Sequence, residues 1–99
     1  MKPIDKCTTV AELLCDKSRW TTGHYARSAN GPCSPLSDDA ECFCIIGAMR
    51  RVYRTIPGYC AAAARLRAVI GDDSWAATTG WNDRSTFTTI KKAIKKAKI

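Results

Sequence analysis

Two short polar-aromatic motifs hold the residues of this chain best suited to chemistry: Trp20-Thr21-Thr22-Gly23, with Ala26-Arg27 after it, and Trp81-Asn82-Asp83 near the end. Trp brings a large ring with one N–H donor, and Gly admits backbone geometries closed to other residues. Asn and Asp add donors and acceptors that must be satisfied if buried. Two arrangements suit this set. In one, Trp20 and Trp81 form a structural clamp, and Asn82 and Asp83 tie down the backbone of the Thr21-Thr22-Gly23 turn. In the other, Thr22, His24, Arg27, Asn82 and Asp83 ring a cleft in which the Trp rings make a stacking wall for a ligand.

Covalent chemistry finds weaker support. His24 is the sole histidine and the only ready general base near neutral pH, so a thiol nucleophile would have to be Cys33 or Cys44 brought beside it. Asp83 is the one carboxylate in an interesting setting, and it equally suits the N-cap of the last helix. Cys33, Cys42, Cys44 and His24 do not make a zinc-site spacing: Cys42 and Cys44 on a helix would point about 200° apart. No phosphate-cradling glycine loop or metal-binding histidine pair occurs, and no cofactor or metal is implied. The arginines Arg27, Arg50, Arg51 and Arg65 offer a second route, a pocket for a small anion such as a nucleotide.

Charge points to the C-terminus. Lys and Arg number 16 against 9 Asp and Glu, but five of the lysines are Lys91, Lys92, Lys95, Lys96 and Lys98. Without them, residues 1–90 carry 11 basic against 9 acidic side chains. One positively charged face, residues 91–99, follows, and it suits phosphates or another polyanion. It lacks interleaved aromatics, and no helix-turn-helix or zinc-finger pattern matches, which argues against sequence-specific DNA reading.

The elements that must position these residues are mostly helical. With 99 residues, 45% of them hydrophobic, one domain spanning 1–99 is expected. Thr9 and Glu12 form a capping-box pair opening a first helix that runs toward Arg19 or Trp20. Asn30-Gly31 predicts a tight turn in a small two-stranded ribbon, with Pro32 on an edge. Ser37-Asp38-Asp39 and Glu41 predict the start of a central helix continuing through Phe43, Cys44 and Gly47 to Arg54, with close approach of another element at Gly47-Ala48. Pro57-Gly58 reads as a break, Tyr59–Ile70 as a third helix ended by Gly71, and Asp72–Gly80 as a single turn or an irregular loop. From about Ser85 a last helix carries Phe87, Ile90, Ile94 and Ala97 on one face and the lysines opposite. The expected fold is mainly α, a compact bundle of four to five short helices with a small β-hairpin after helix 1, the central helix packing beneath the last. No stretch has the roughly 20 apolar residues of a bilayer span, and the first residues lack a secretory signal. A cytosolic protein with six reduced cysteines is expected, a conclusion that would reverse for a processed secreted fragment.

At these residues the chain resembles a family of small bacterial and bacteriophage proteins of unknown function. Its pattern is Trp-Thr-x-Gly, then Ala-Arg, then Cys-x-x-Gly-Ala on a helix, then Trp-Asn-Asp. Here those are Trp20–Gly23, Ala26-Arg27, Cys44 with Gly47-Ala48, and Trp81–Asp83, over about residues 10–97. Cys7, Cys15, Cys33, Cys42 and Cys60 have no counterpart in the pattern. The resemblance implies a phage-type setting in the cytosol of a bacterial host and supplies no reaction. The resulting expectation is a non-enzymatic accessory protein that binds a host protein or nucleoprotein complex, such as a bacterial defence complex that it inhibits. It would bind through the lysine face or the Trp20/Trp81 surface. Sequestration of a nucleotide, nonspecific nucleic-acid binding and a small hydrolase or transferase using His24, Cys44 or Asp83 are the alternatives, and the oligomeric state is left open.

Overall fold

The first helix begins where its capping box says, but it is short. The computed structural model, which describes residues 1–71 and 75–99, opens with a 3-10 turn at Ile4–Lys6 and then α1 (Val10–Leu13). Thr9 Oγ1 accepts the Glu12 N–H at 3.1 Å. The return bond is displaced by one residue, because Glu12 Oε1 accepts from Thr8 N (2.9 Å) and Thr8 Oγ1 (2.8 Å). The expected run to Arg19 or Trp20 does not occur. Asp16 captures the Ser18 N–H at 3.0 Å and the Ser18 hydroxyl at 2.6 Å, and this local competition starts a separate 3-10 turn, Lys17–Arg19.

The sheet has three strands where the sequence suggested two. Strands β1 (Ala26–Ser28), β2 (Gly31–Cys33) and β3 (Cys42–Phe43) lie in the order β2-β1-β3, all antiparallel, with Ala26 opposite both Cys33 and Phe43. Residues Ala29 and Asn30 connect β1 to β2, and the positive φ falls on Gly31 (φ 115°) alone, not on an Asn30-Gly31 pair. Pro32 sits in an outer strand, where its missing N–H costs nothing. Trp20 bridges Phe43 in parallel, and Thr21 N donates to Phe43 O at 3.0 Å.

The third strand corrects the expected start of the central helix. Residues 37–43 are not helical: Glu41 N donates to Arg27 O (2.8 Å), Cys42 pairs with Arg27, and Phe43 is buried. Helix α2 runs Ile45–Val52 with Cys44 as N-cap, whose Sγ accepts the Gly47 N–H at 3.3 Å. Pro57-Gly58 does not break the chain either. It lies in the first turn of α3 (Ile56–Ile70), where proline is tolerated, and Thr55 Oγ1 caps the Gly58 N–H at 3.2 Å. Gly71 ends α3 at φ 85°.

Helix α4 covers Trp75–Arg84, so the expected single turn or loop over 72–80 is helical from Trp75 on; Asp72–Ser74 lie outside the described residues. Asp83 therefore sits inside α4, and Thr86 caps α5 (Phe87–Ala97), accepting the Thr89 N–H at 3.3 Å. The molecule is mainly α around one core built from Leu13, Leu14, Phe43, Ile45, Ile46, Met49, Leu66, Ile90 and Ile94. The central helix does not lie beneath the last: α2 packs on α1, α3 and α4, whereas α5 packs on α3 and α1. Ile99, buried, closes the bundle, its carbonyl oxygen accepting from Val10 N (2.8 Å) and the Tyr53 hydroxyl (2.9 Å). Among the described residues no helix is long and apolar enough to cross a membrane.

Candidate functional site

Asn82 joins the two motifs. Its side chain is fully buried and uses all of its hydrogen-bonding capacity. Oδ1 accepts from Trp20 Nε1 and from Ile45 N, both at 3.0 Å. Nδ2 donates to Thr21 O (3.2 Å) and to Asp83 Oδ1 (3.1 Å). Asp83 Oδ1 also accepts the Gly23 N–H at 3.0 Å, and Gly23 holds φ 81°, a conformation that favours glycine. One residue of α4 thus fastens the 20–23 turn and the start of α2, and its neighbour fastens the far end of the turn. Trp20 completes the knot by packing on Phe87 of α5 (centroids 6.0 Å apart, planes at 40°).

Gly47 tightens the same region. A Cβ there would stand 1.8 Å from the Tyr25 carbonyl oxygen, so only glycine lets the 23–26 segment cross α2. The close approach expected at Gly47-Ala48 is this crossing. Tyr25 O meanwhile accepts the Cys44 N–H at 3.2 Å.

Beside the knot lies a cleft of about 420 Å³ lined by His24, Tyr25, Cys33, Cys44, Thr79 and Asp83, among others. Of the residues expected to ring a cleft, His24 and Asp83 line it, Asn82 is buried, and Thr22 and Arg27 are exposed without lining it. Trp81 lines a different, shallower groove of about 260 Å³ with Val69, Ile70, Lys92 and Lys96. Neither Trp20 nor Trp81, the two rings expected to wall it, therefore lines the cleft. Cys44, His24 and Asp83 do share it, but Cys44 is poorly set up as a nucleophile. Burial pushes its thiol up, a push that the Gly47 and Ile46 N–H groups oppose and the Asp83 charge reinforces. Among the described residues no cluster of three or more His, Cys, Asp or Glu side chains is placed to hold a metal ion.

The second candidate is α5. Ile90, Ala93, Ile94 and Ala97 are buried, whereas Lys91, Lys92, Lys95, Lys96 and Lys98 are all exposed. Lys91 Nζ donates to Cys15 O at 3.3 Å and lies 5.9 Å from the Phe87 ring centroid. Among the described residues no carboxylate forms an ion pair with any of the five lysines.

A family model described as a family of unknown function, DUF6197, matches residues 1–98. The chain belongs to DUF6197. No curated protein and no solved structure matches it.

Within this DUF6197 chain, two arginines do work that residue type alone did not reveal. Arg51 is buried, donating through Nη1 to Pro35 O (3.0 Å) and Ser37 O (2.6 Å), with its guanidinium 5.9 Å from the Phe43 ring centroid. It clasps the loop before β3 and does not line an anion pocket. Arg19 is also buried, its Nη1 3.8 Å from Cys7 Sγ. No sequence signal set Arg51 apart from Arg50: residues 45–49 are buried all round α2, so helical phase does not choose between the two arginines.

Proposed function

We propose that this chain is a non-enzymatic, phage-type accessory protein that binds an anionic host macromolecule through the lysine face of α5. A bacterial defence complex containing nucleic acid, inhibited by the contact, is the partner class that the phage-type resemblance suggests. The observation that carries the reading is the exposure of four lysines on α5 and a fifth, Lys98, at its C-cap, none of them in an ion pair among the described residues. Such a ladder repels itself, and a polyanion relieves that repulsion while releasing its own counterions. The Trp20–Asn82 knot supports the assignment indirectly: its polar groups are consumed in holding the scaffold, which removes the Trp20 surface as the main binding face.

The experiment is capture from bacterial lysate on immobilised protein across a salt series, with a Lys92→Glu, Lys95→Glu, Lys96→Glu triple variant beside the wild type. If all five lysines engage phosphates, affinity drops by roughly four orders of magnitude for a tenfold rise in salt. The triple variant should retain nothing specific. Retention that ignores both salt and the triple variant would overturn the reading.

A second reading rests on the cleft, whose volume falls in the range of small-molecule sites. A ligand held there, such as a sequestered nucleotide, would be released by His24→Ala, an exposed position, and would be insensitive to the lysine changes.

A further inference from the structure

A different part of the surface has the composition of a protein-binding hot spot. The end of α2, the start of α3 and the 34–36 loop enclose a concavity of about 270 Å³. Its rim holds Leu36 and Ile56, which are 53% and 80% exposed, together with Arg50, Arg54 and Tyr59. Isolated exposed aliphatics are ordinary, but two on one concavity are a patch. Ile56 is the first residue of α3, a position that the Thr55 cap would serve equally well with a polar side chain, so helix formation does not explain it.

The arginines complete the pattern. The Arg50 guanidinium lies 5.2 Å from the Tyr25 ring centroid and 5.9 Å from that of Tyr59, so two aromatic faces hold it in place. Arg54 is exposed, anchored by one bond from Nε to Arg51 O at 3.3 Å, and has no carboxylate partner among the described residues. Side chains ordered beforehand lose less entropy on binding, and arginine and tyrosine around a pocket are the usual anchors of interfaces. Among the described residues no lysine and no carboxylate lines the concavity.

We propose that this concavity is a docking surface for an acidic protein segment that inserts one apolar side chain between Leu36 and Ile56 and places carboxylates against Arg50 and Arg54. Charge complementarity selects that occupant. Guanidinium forks match carboxylates in pairs, and the space fits one side chain, being below the range of drug-sized ligands. A second copy of this chain does not fit, since an isologous contact would set Arg50 and Arg54 against their own copies in a protein of net charge +7. Single-stranded nucleic acid is disfavoured because Arg50 already covers a face of both rings that would stack bases, and phosphates would leave Leu36 and Ile56 without an apolar partner. The surface shares no residue with the lysine face and stands independently of the function proposed for it.

The test is selection of a random dodecapeptide display library on the full-length protein, followed by calorimetric titration of the enriched peptides. The expected consensus is acidic with one large apolar residue. Affinity should fall at least about tenfold in Ile56→Asp and, separately, in Arg54→Glu, both exposed positions whose retained fold circular dichroism would verify. It should change less than about threefold in the lysine triple variant. The proposal is overturned by an absence of enrichment, by a consensus lacking acidic residues or the apolar anchor, or by binding indifferent to both substitutions. Displacement of the peptides by an unstructured single-stranded DNA of matched charge would also overturn it, reassigning the surface to nucleic acid.

Discussion

Asn82 is a neutral side chain at a position where either an apolar or a charged one would fail. Its amide meets two donors with one atom and two acceptors with the other, an arrangement that no other side chain of its size reproduces. Replacing it with alanine strands the Trp20 N–H, the Ile45 N–H and the Thr21 carbonyl, and a cost of about 3–5 kcal/mol is expected from several buried groups losing partners together. Asn82→Asp keeps the acceptor for Trp20 and Ile45 but turns the other atom from a donor into an anionic oxygen facing Thr21 O and Asp83. Burial and the neighbouring carboxylate both raise the pKa of the introduced group above its unfolded value. Its destabilisation is then greatest near neutral pH and recedes as pH falls and the group protonates. Chemical denaturation of the two variants at neutral and mildly acidic pH checks this. An alanine variant within about 1 kcal/mol of wild type, or an aspartate variant with no recovery in acid, would show that the knot does not hold the fold together.

Helix boundaries show how far pattern carries and where it stops. Thr9 with Glu12, Gly71, and Ile90, Ile94 and Ala97 of the expected apolar stripe act through local chemistry, and each was legible; Ala93 joins that stripe only in the structure. The start of α2 was not, because Ser37-Asp38-Asp39 has the look of a helix start while β1 claims residues 42–43 from outside the segment. The polar Trp-Asn-Asp motif announced a knot, but that Asn82 would reach Trp20 while Trp81 turns to the α3–α5 groove depends on the phase of a helix whose start the sequence left open. Local chemistry at α1 also makes a prediction. Lys2 and the Thr8 N–H and hydroxyl hold the Glu12 carboxyl down at about 2, against an ordinary 4.5. A lowered folded-state pKa contributes stability that is present above 4.5 and lost as pH falls from there toward 2. Thermal unfolding of wild type and Glu12→Gln should therefore differ by a constant amount near neutral pH, converge across that window and coincide at its acid end. A difference that persists below pH 2 would mean that the carboxylate plays no part in holding the N-terminal segment.

Across the whole molecule, charge and stability pull against each other on α5. Lys91 and Lys95, and Lys92 and Lys96, are like-charged pairs at i, i+4, and each costs the helix roughly 0.2–0.5 kcal/mol. The buried stripe beneath them outweighs this many times, since fully burying one Ile contributes about 1.5–3 kcal/mol and both Ile90 and Ile94 are buried. The fold can thus carry the ladder without needing it, and that separates a functional face from a structural one. Lys92→Glu removes one repulsive pair and creates a Glu–Lys pair of the favourable orientation with Lys96, a swing of roughly 0.5–1 kcal/mol. For a chain of this length the melting temperature should rise by about 2–6 °C in low salt, and the gain should shrink in about 1 M salt, where screening acts within a few ångströms. The same variant should bind the anionic partner less well. Scanning calorimetry at the two salt concentrations, alongside the capture experiment, reads both quantities. A variant that is more stable and weaker in binding would mark the lysines as held in place for what they contact; one that is less stable would mark them as part of the scaffold, with the function to be sought at the cleft beside Asn82 or at the Leu36–Ile56 concavity.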